Sequence, residues 1–421
     1  IKELSIKGTN IKEAPLVDIN DVCLVHPKRY IENVFSLIPN LGLIGVEKEP
    51  YADTFLCPNS KNAILRSCGA GIAAADSLIK DNRKINAKSK YVSVRAPARL
   101  HLGFLDMCGD LGRKFGSLGL SITNVETSIT ASYADDIDIK GVFLERAENY
   151  AEQILSHFGI DGGVELSINS TIPEHAGLGS GTQLSLAIAS AITNLYELPQ
   201  YHASHLAAIL HRGARSGIGI GTFMHGGFVV DGGRGEKTEV PPVITHLSFP
   251  EHWRIILVFD DEVEGINGAQ ERRAFNTLPT MEKDISATLC RLTMMQALPA
   301  IVEQDCSQFG SAITEIQNII GDYFSIAQGG RYTSPFLKSI LDTMGNMGAT
   351  GMGQSSWGPT GFAIFPNETI AFRALKKIRD EWKAQSRLRF VLSEGFNHQA
   401  EISVSEQKPS IKNENMKVKN L

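Results

Sequence analysis

The chain is poor in several of the features that most readily assign a function. Its six cysteines (Cys23, Cys57, Cys68, Cys108, Cys290 and Cys306) form no C-x-x-C pair and have no histidine cluster beside them. That spacing excludes a recognisable zinc motif or disulfide framework and predicts reduced thiols. Positive charge is not in excess either: the formal net charge is −5, whereas a general nucleic-acid binder needs a basic surplus to displace counter-ions from phosphates. No apolar run approaches the roughly 20 residues that span a bilayer. Ile1-Lys2-Glu3-Leu4 lacks the apolar core of a secretion signal. The expectation is a cytoplasmic protein acting on small molecules, with neither nucleic acid nor membrane as a partner.

What is present suits a packed core. Of 421 residues, 43% are hydrophobic and 21% charged, an ordinary globular balance that a chain of this length divides into two or three units. Residues 1–88 carry apolar patches but no catalytic motif, and could add a regulatory or dimerisation element to a possible homodimer. The polar run Lys80–Lys90 reads as a linker, because it offers little to bury and concentrates charge. Residues 89–250 and 251–406 read as two further units, and 407–421 as a polar, lysine-rich tail.

Within the second unit, alternation predicts strands at 91–96, 126–133 and 163–169, and helical spacing predicts a helix over 143–158. Residues 184–195 are apolar on nearly every side, which predicts a buried helix. Further on, 254–260, 360–365, 388–394 and 400–405 read as strands, separated by helices near 281–297, 307–321, 334–347 and 368–383. The fold class is α+β.

Four motifs could carry chemistry. Pro173-Glu-His-Ala-Gly-Leu-Gly-Ser-Gly-Thr182 stands between a strand and the buried helix. Gly177, Gly179 and Gly181 can take angles closed to other residues, so amides around Leu178, Ser180 and Thr182 can converge on phosphate oxygens at a helix N-terminus. Arg95 to Asp106, continuing to Arg113, brings Arg99, His101, Asp106 and Arg113 into a strand-loop segment. The arginine forks suit an anionic substrate; Asp106 either moves a proton or pairs with Arg113. Arg212 to Thr222 is a second glycine-rich loop, with Ser216, Gly217, Gly219 and Gly221 as candidate contacts, or a flexible turn ahead of a strand. Gly351 to Phe365 sets a small-residue turn, with Ser355, Ser356 and Gly358, before a buried strand. Four such loops beside core elements point to one phosphate-binding cleft.

In order and spacing these motifs resemble the GHMP kinase superfamily over about residues 91–405. Pro173–Ser180 is similar to that family's P-x-x-x-G-L-G-S loop, and Gly353–Phe365 to its third motif. The resemblance implies a ribosomal S5 domain 2-like N-terminal half and a ferredoxin-like C-terminal half. Many of these kinases carry Ser-Gly-Ile-Asp where this chain has Ser216-Gly-Ile-Gly219, and the second serine of their G-L-G-S-S loop is Gly181 here. A base typically contributes about 10²–10⁴-fold, so the missing aspartate counts against phosphoryl transfer.

Arg99-Leu-His-Leu-Gly-Phe-Leu-Asp106, with Gly112-Arg113 and Phe115-Gly-Ser117, resembles instead the opening motif of the superfamily's non-kinase branch, the β-ribofuranosylaminobenzene 5′-phosphate synthases. That resemblance implies a transferase joining 4-aminobenzoate to phosphoribosyl pyrophosphate with release of CO₂ and pyrophosphate, in tetrahydromethanopterin biosynthesis and one-carbon metabolism. Arg113 and Arg99 would then hold the substrate carboxylate, and Asp106 would act near the ring amine. The glycine loops would hold the phosphates, with Mg²⁺ offsetting the charge of the leaving group; its ligands are not legible. The alternatives are a small-molecule kinase using ATP, or a ligand-sensing protein on the same scaffold.

Overall fold

The computed structural model describes residues 14–23, 28–41, 44–46, 54–266 and 268–408, and the chain divides into two compact units at Ile85/Asn86. In the first unit, α1 (Ile19–Val22) and α2 (Lys28–Ser36) precede the antiparallel pair β1 (Ile44–Val46) and β2 (Thr54–Leu56), then α3 (Ser60–Ala87). Arg66 on α3 donates to the Ala14 carbonyl at 2.6 Å, and Gly69 lets the Pro15 carbonyl lie where a Cβ would stand. The expected linker at 80–90 is corrected: α3 continues to Ala87. The run holds no glycine or proline to stop a helix, and its lysines and arginine lose little side-chain freedom in one. The tail expected at 407–421 lies, from residue 409 onward, outside the described residues.

The second unit begins with β3 (Tyr91–Asp106), β4 (Phe115–Ala134), β5 (Ile137–Lys140), α4 (Leu144–His157), β6 (Gly163–Ser170), α5 (Ser180–Leu195), α6 (Ala203–Ile209), α7 (Ile218–His225), β7 (Phe228–Asp231) and β8 (Val243–Leu247). Then follow β9 (Arg254–Asp260), α8 (Gly268–Thr277), α9 (Lys283–Leu292), a π turn at Thr293–Ala297, α10 (Leu298–Val302) and α11 (Cys306–Gln328). The last elements are α12 (Leu337–Asn346), β10 (Gly351–Gln354), β11 (Gly361–Phe365), α13 (Glu368–Trp382), β12 (Leu388–Ser393) and β13 (Glu401–Ser405). One sheet runs β13-β3-β4-β6-β5, with β7 on the far end of β4 and β8 beyond it; the other runs β10-β11-β9-β12. The class is α+β, as the sequence predicts.

β3 runs ten residues past the expected strand end at Ala96, because bulges at Pro97/Ala98 and His101/Gly103 absorb the irregular residues and let pairing with β4 resume. The first motif is therefore strand up to Asp106. The two halves expected as separate units are also joined. β13, from the C-terminal half, pairs with β3, and one core cluster takes Leu100, Leu102 and Phe104 from β3 together with Leu257 of β9 and Phe309, Ile313 and Ile316 of α11. α5 is buried along Leu184 to Ile192 against α4, β3 and β4.

The reading of apolar runs needs one correction. Lys283–Val302 is, by length and composition, apolar enough to cross a membrane; Asp284 and Arg291 interrupt the run in the sequence. In the fold Leu289, Ala297, Ala300 and Ile301 pack one face of this segment into the cluster just described, while Met294, Met295 and Val302 are exposed.

Candidate active site

All four motifs meet at the start of α5. Gly177 and Gly179 take φ of 77° and 86°, and a Cβ on Gly177 would lie 2.2 Å from the Ser355 carbonyl oxygen, so only glycine fits. The Gly177 carbonyl accepts from Arg99 Nη1 at 2.5 Å and from Ser355 Oγ at 2.7 Å. The backbone N–H of Arg99 donates to the Leu178 carbonyl, and that of Ser356 to the His101 carbonyl. Ser355 Oγ in turn accepts from the His101 N–H at 2.9 Å. β3, the glycine loop and the fourth motif are thereby stitched together. α5 starts at Ser180; the Thr182 and Gln183 amides donate to the Gly179 carbonyl at 3.1 and 3.0 Å, so the Ser180 and Gly181 amides are the ones that lie where the helix supplies no acceptor of its own.

Arginines gather over this helix start. The Arg99 side chain passes beneath Gly179, 3.3 Å from where its Cβ would be. Arg212 Nη2 lies 3.0 Å from the corresponding point on Gly181 and donates to Thr182 Oγ1 at 3.2 Å. Arg215 pairs with Glu271 of α8 at 2.5 Å and stacks over the Phe275 ring at 4.8 Å. Burial pulls the Arg99 guanidinium down to about 10, with Glu271 opposing the shift and Arg212 adding to it. Burial also raises the Glu271 carboxyl above its ordinary value, against the pull of Arg215, Arg99 and Arg212. Arg99 Nε and Arg212 Nε are buried without an acceptor among the described residues. Three cations facing one carboxylate, with donors left over, make a site for an anion.

The Asp106 and Arg113 region is built differently. Asp106 Oδ1 accepts from the Cys108 and Gly109 amides at 2.8 and 2.9 Å and from Ser286 Oγ at 3.0 Å. Arg113 donates through Nε and Nη2 to the Gly232 and Gly233 carbonyls at 2.9 and 2.8 Å. The ion pair weighed for them is not formed: each side chain holds a turn. Beside them Asp231, fully buried at the end of β7, accepts from the Gly217 and Gly233 amides at 2.8 Å each and from Ser216 Oγ at 3.4 Å. Burial pushes its carboxyl up to about 6, with the backbone bonds pulling the other way.

The other expected contacts divide between the border of the glycine loop and its surroundings. Gly219 and Gly221 lie inside α7, not in a loop. Gly219 faces Thr182, whose methyl carbon is 3.0 Å from where its Cβ would be, so it borders the glycine loop. Gly221 packs against Val229 and Val243, and Leu178 has its side chain in the core. Ser180 borders a crevice with the ion-paired Arg146 and Glu174, on another side of the loop. Gly358, at φ 71°, packs on Gln354 and Thr333, and its carbonyl oxygen lies 3.1 Å from where a Cβ on Gly177 would stand, so it too borders the glycine loop. His101 and Ser356 line a small cavity of about 20 Å³ with Phe104, Phe324 and Gln354. Burial, then Arg99, lowers the His101 imidazole to about 3, and its Nε2 is unpartnered.

Sequence reasoning missed Arg212, Arg215, Asp231 and Glu271. The two arginines stand in the third motif and carried a signal in their spacing; Glu271, in the polar Gly268–Thr277 stretch, carried none. Among the described residues no three Asp, Glu, His or Cys side chains are gathered to hold a metal ion. Mg²⁺ is commonly held by one or two carboxylates together with substrate phosphates, and the cationic charge that the chain itself brings to the loop comes from arginine.

Comparison with known proteins agrees with this architecture. Residues 145–227 match the GHMP kinases N terminal domain and 297–384 the GHMP kinases C terminal domain. The chain is 33% identical over 296 residues to a beta-ribofuranosylphenol 5′-phosphate synthase of Methanothermobacter thermautotrophicus, covering 64% of this chain and 88% of the relative. It is 32% identical over 327 residues to the Archaeoglobus fulgidus protein of the same name, covering 74% and 99%. Among solved structures, homoserine kinase from Cytophaga hutchinsonii shares the fold with a TM-score of 0.54 at 16% identity, over 74% of this chain and 97% of that one. Since both archaeal relatives are matched over most of their length, the chain belongs to the beta-ribofuranosylphenol 5′-phosphate synthase family of the GHMP kinase superfamily.

Proposed function

We propose that the protein joins 4-aminobenzoate to phosphoribosyl pyrophosphate, releasing CO₂ and pyrophosphate, as a step of tetrahydromethanopterin biosynthesis. The observation that carries this reading is the pairing of an arginine-lined phosphate loop with Gly219, which leaves the loop no carboxylate base from α7. Such a site neutralises a leaving diphosphate but has no group at that position to deprotonate an acceptor hydroxyl.

The ring carbon that bears the carboxylate forms a bond to the ribose anomeric carbon. The bond from that carbon to pyrophosphate breaks, and its electron pair leaves with pyrophosphate. Loss of CO₂ then returns an electron pair to the ring and restores aromaticity. Arg99, Arg212 and Arg215 stabilise the departing diphosphate. The Asp106 carboxylate acts near the ring amine as positive charge develops, and Arg113 holds the benzoate carboxylate. Magnesium enters as the counter-ion of the diphosphate substrate. The six cysteines, all free, suit a reducing cytoplasm.

The relatives' name specifies a phenol product, which favours 4-hydroxybenzoate as a second acceptor, its hydroxyl replacing the amine as electron donor. Incubation with phosphoribosyl pyrophosphate, Mg²⁺ and either acid tests both readings. CO₂ and pyrophosphate should appear in equal amounts, and the acid with the higher kcat/KM identifies the acceptor. Folded protein that releases neither product overturns the proposal, and phosphorylation of a small hydroxyl compound by ATP would replace it with a kinase.

A further inference from the structure

Glu271 occupies an unusual position. It is the acidic partner of Arg215 and lies within electrostatic reach of Arg99 and Arg212, so a single carboxylate serves three guanidinium groups. Each guanidinium offers five N–H donors, more than one carboxylate can accept, and Arg99 Nε and Arg212 Nε are buried and unsatisfied. The surplus is one of geometry as well as charge, because the Ser180 and Gly181 amides at the start of α5 add further donors, those of Thr182 and Gln183 being bound to the Gly179 carbonyl. A carboxylate whose own burial disfavours its charged form is a poor permanent match for such a surface. A diphosphate, with more charge and more acceptor oxygens, is a better one.

We propose that Glu271 is a displaceable stand-in for a ligand anion: in the free enzyme its carboxylate holds the place of a diphosphate oxygen, and the diphosphate takes over Arg215 when it binds. The Glu271 side chain then turns away while α8 stays seated. The seat is Phe275, one turn further along α8, whose ring packs on Phe104, Phe115, Phe324 and Trp357 at centroid distances of 5.9, 5.9, 5.9 and 5.4 Å. Arg215 keeps its stacking on Phe275 throughout, so it is oriented for the ligand before Glu271 departs. The stand-in keeps the arginine cluster from being left with bare like charges in the empty site, at a cost in ligand affinity.

This inference rests on the diphosphate reading of the site. It makes a counter-intuitive prediction: removing a charged residue from the binding site tightens binding. Calorimetric titration of the full chain with inorganic pyrophosphate should show Glu271→Gln binding about tenfold or more tightly than the parent, because a like-charge neighbour of the ligand has been removed. Glu271→Asp, which keeps the charge, should give no such tightening, and thermal melting of both variants reports whether they fold. Unchanged or weaker binding by Glu271→Gln overturns the proposal, as does equal tightening by both variants or an absence of pyrophosphate binding in parent and variant alike. Tightening without any CO₂ release in the turnover assay would retain the role of Glu271 and reject the synthase reading; CO₂ release with unchanged pyrophosphate affinity would do the reverse.

Discussion

Two arginine-bearing regions of the second unit differ in how their hydrogen bonds are used. In the turn around Arg113, the guanidinium is bound to two backbone carbonyls, Asp106 Oδ1 to two amides and a hydroxyl, and Asp231 to two amides and a hydroxyl. Around the glycine loop, Arg99 and Arg212 retain buried donors with no acceptor among the described residues, and Arg215 shares the Glu271 carboxylate. The first region is satisfied by its own backbone and holds its shape without a ligand. The second is left short of acceptors, which buried donors rarely tolerate unless something else supplies them. The contrast separates a region whose shape is set before any ligand arrives, Arg113 included, from one whose arginines keep buried donors for an anion.

The contrast breaks most sharply at Arg99. Arg99→Met keeps the alkyl stem under Gly179 but removes the cation, and kcat/KM should fall by about 10²–10³-fold, the usual loss when one donor to a developing anion is deleted. Steady-state kinetics check this, and a loss below tenfold would mean that the unsatisfied donors are not where charge develops.

In the satisfied region the largest effect should be on stability. Asp231 has a folded pKa of about 6 against an ordinary 3.8, so the folded state binds the proton more tightly than the unfolded chain. Its cost is absent below the ordinary value, grows as pH rises, and is complete above the folded value. The stability of the parent relative to Asp231→Asn should therefore fall by about 2 kcal/mol from about pH 4 to about pH 7. Urea unfolding at several pH values measures it, and a constant difference would show that Asp231 does not titrate in this range.

The smallest effect should come from Arg113. Because its guanidinium already serves the Gly232 and Gly233 carbonyls, Arg113→Ala should raise KM for the benzoate about tenfold, with a smaller effect on phosphoribosyl pyrophosphate. Equal rises for both substrates, accompanied by a lower melting temperature, would assign Arg113 to holding the turn alone.

Legibility in the sequence followed the range of the interactions. α5 was readable because its apolar residues fill every face, and the glycine loop because its spacing is local. α7 was not, since glycines at 219 and 221 look like a loop. Each costs about 1 kcal/mol relative to alanine in a helix, and only the close approach of Thr182, Val229 and Val243 explains them. The pairing of β13 with β3 joins residues some three hundred positions apart and leaves no local trace. Glu271 reads as an ordinary residue of a polar helix until the fold places it against arginines from β3 and from the segment before α7. The spacing of Asp106 and Arg113 leaves a proton-moving role and an ion pair equally open, and the backbone groups around them take up both side chains so that the pair is not formed.

The central claim is that the glycine loop serves phosphoribosyl pyrophosphate and not ATP. Calorimetric competition on the full chain tests it most directly: phosphoribosyl pyrophosphate and Mg²⁺ should bind, inorganic pyrophosphate should compete, and Arg99→Met should weaken both. Tight binding of Mg²⁺–ATP that phosphoribosyl pyrophosphate fails to displace would contradict the account.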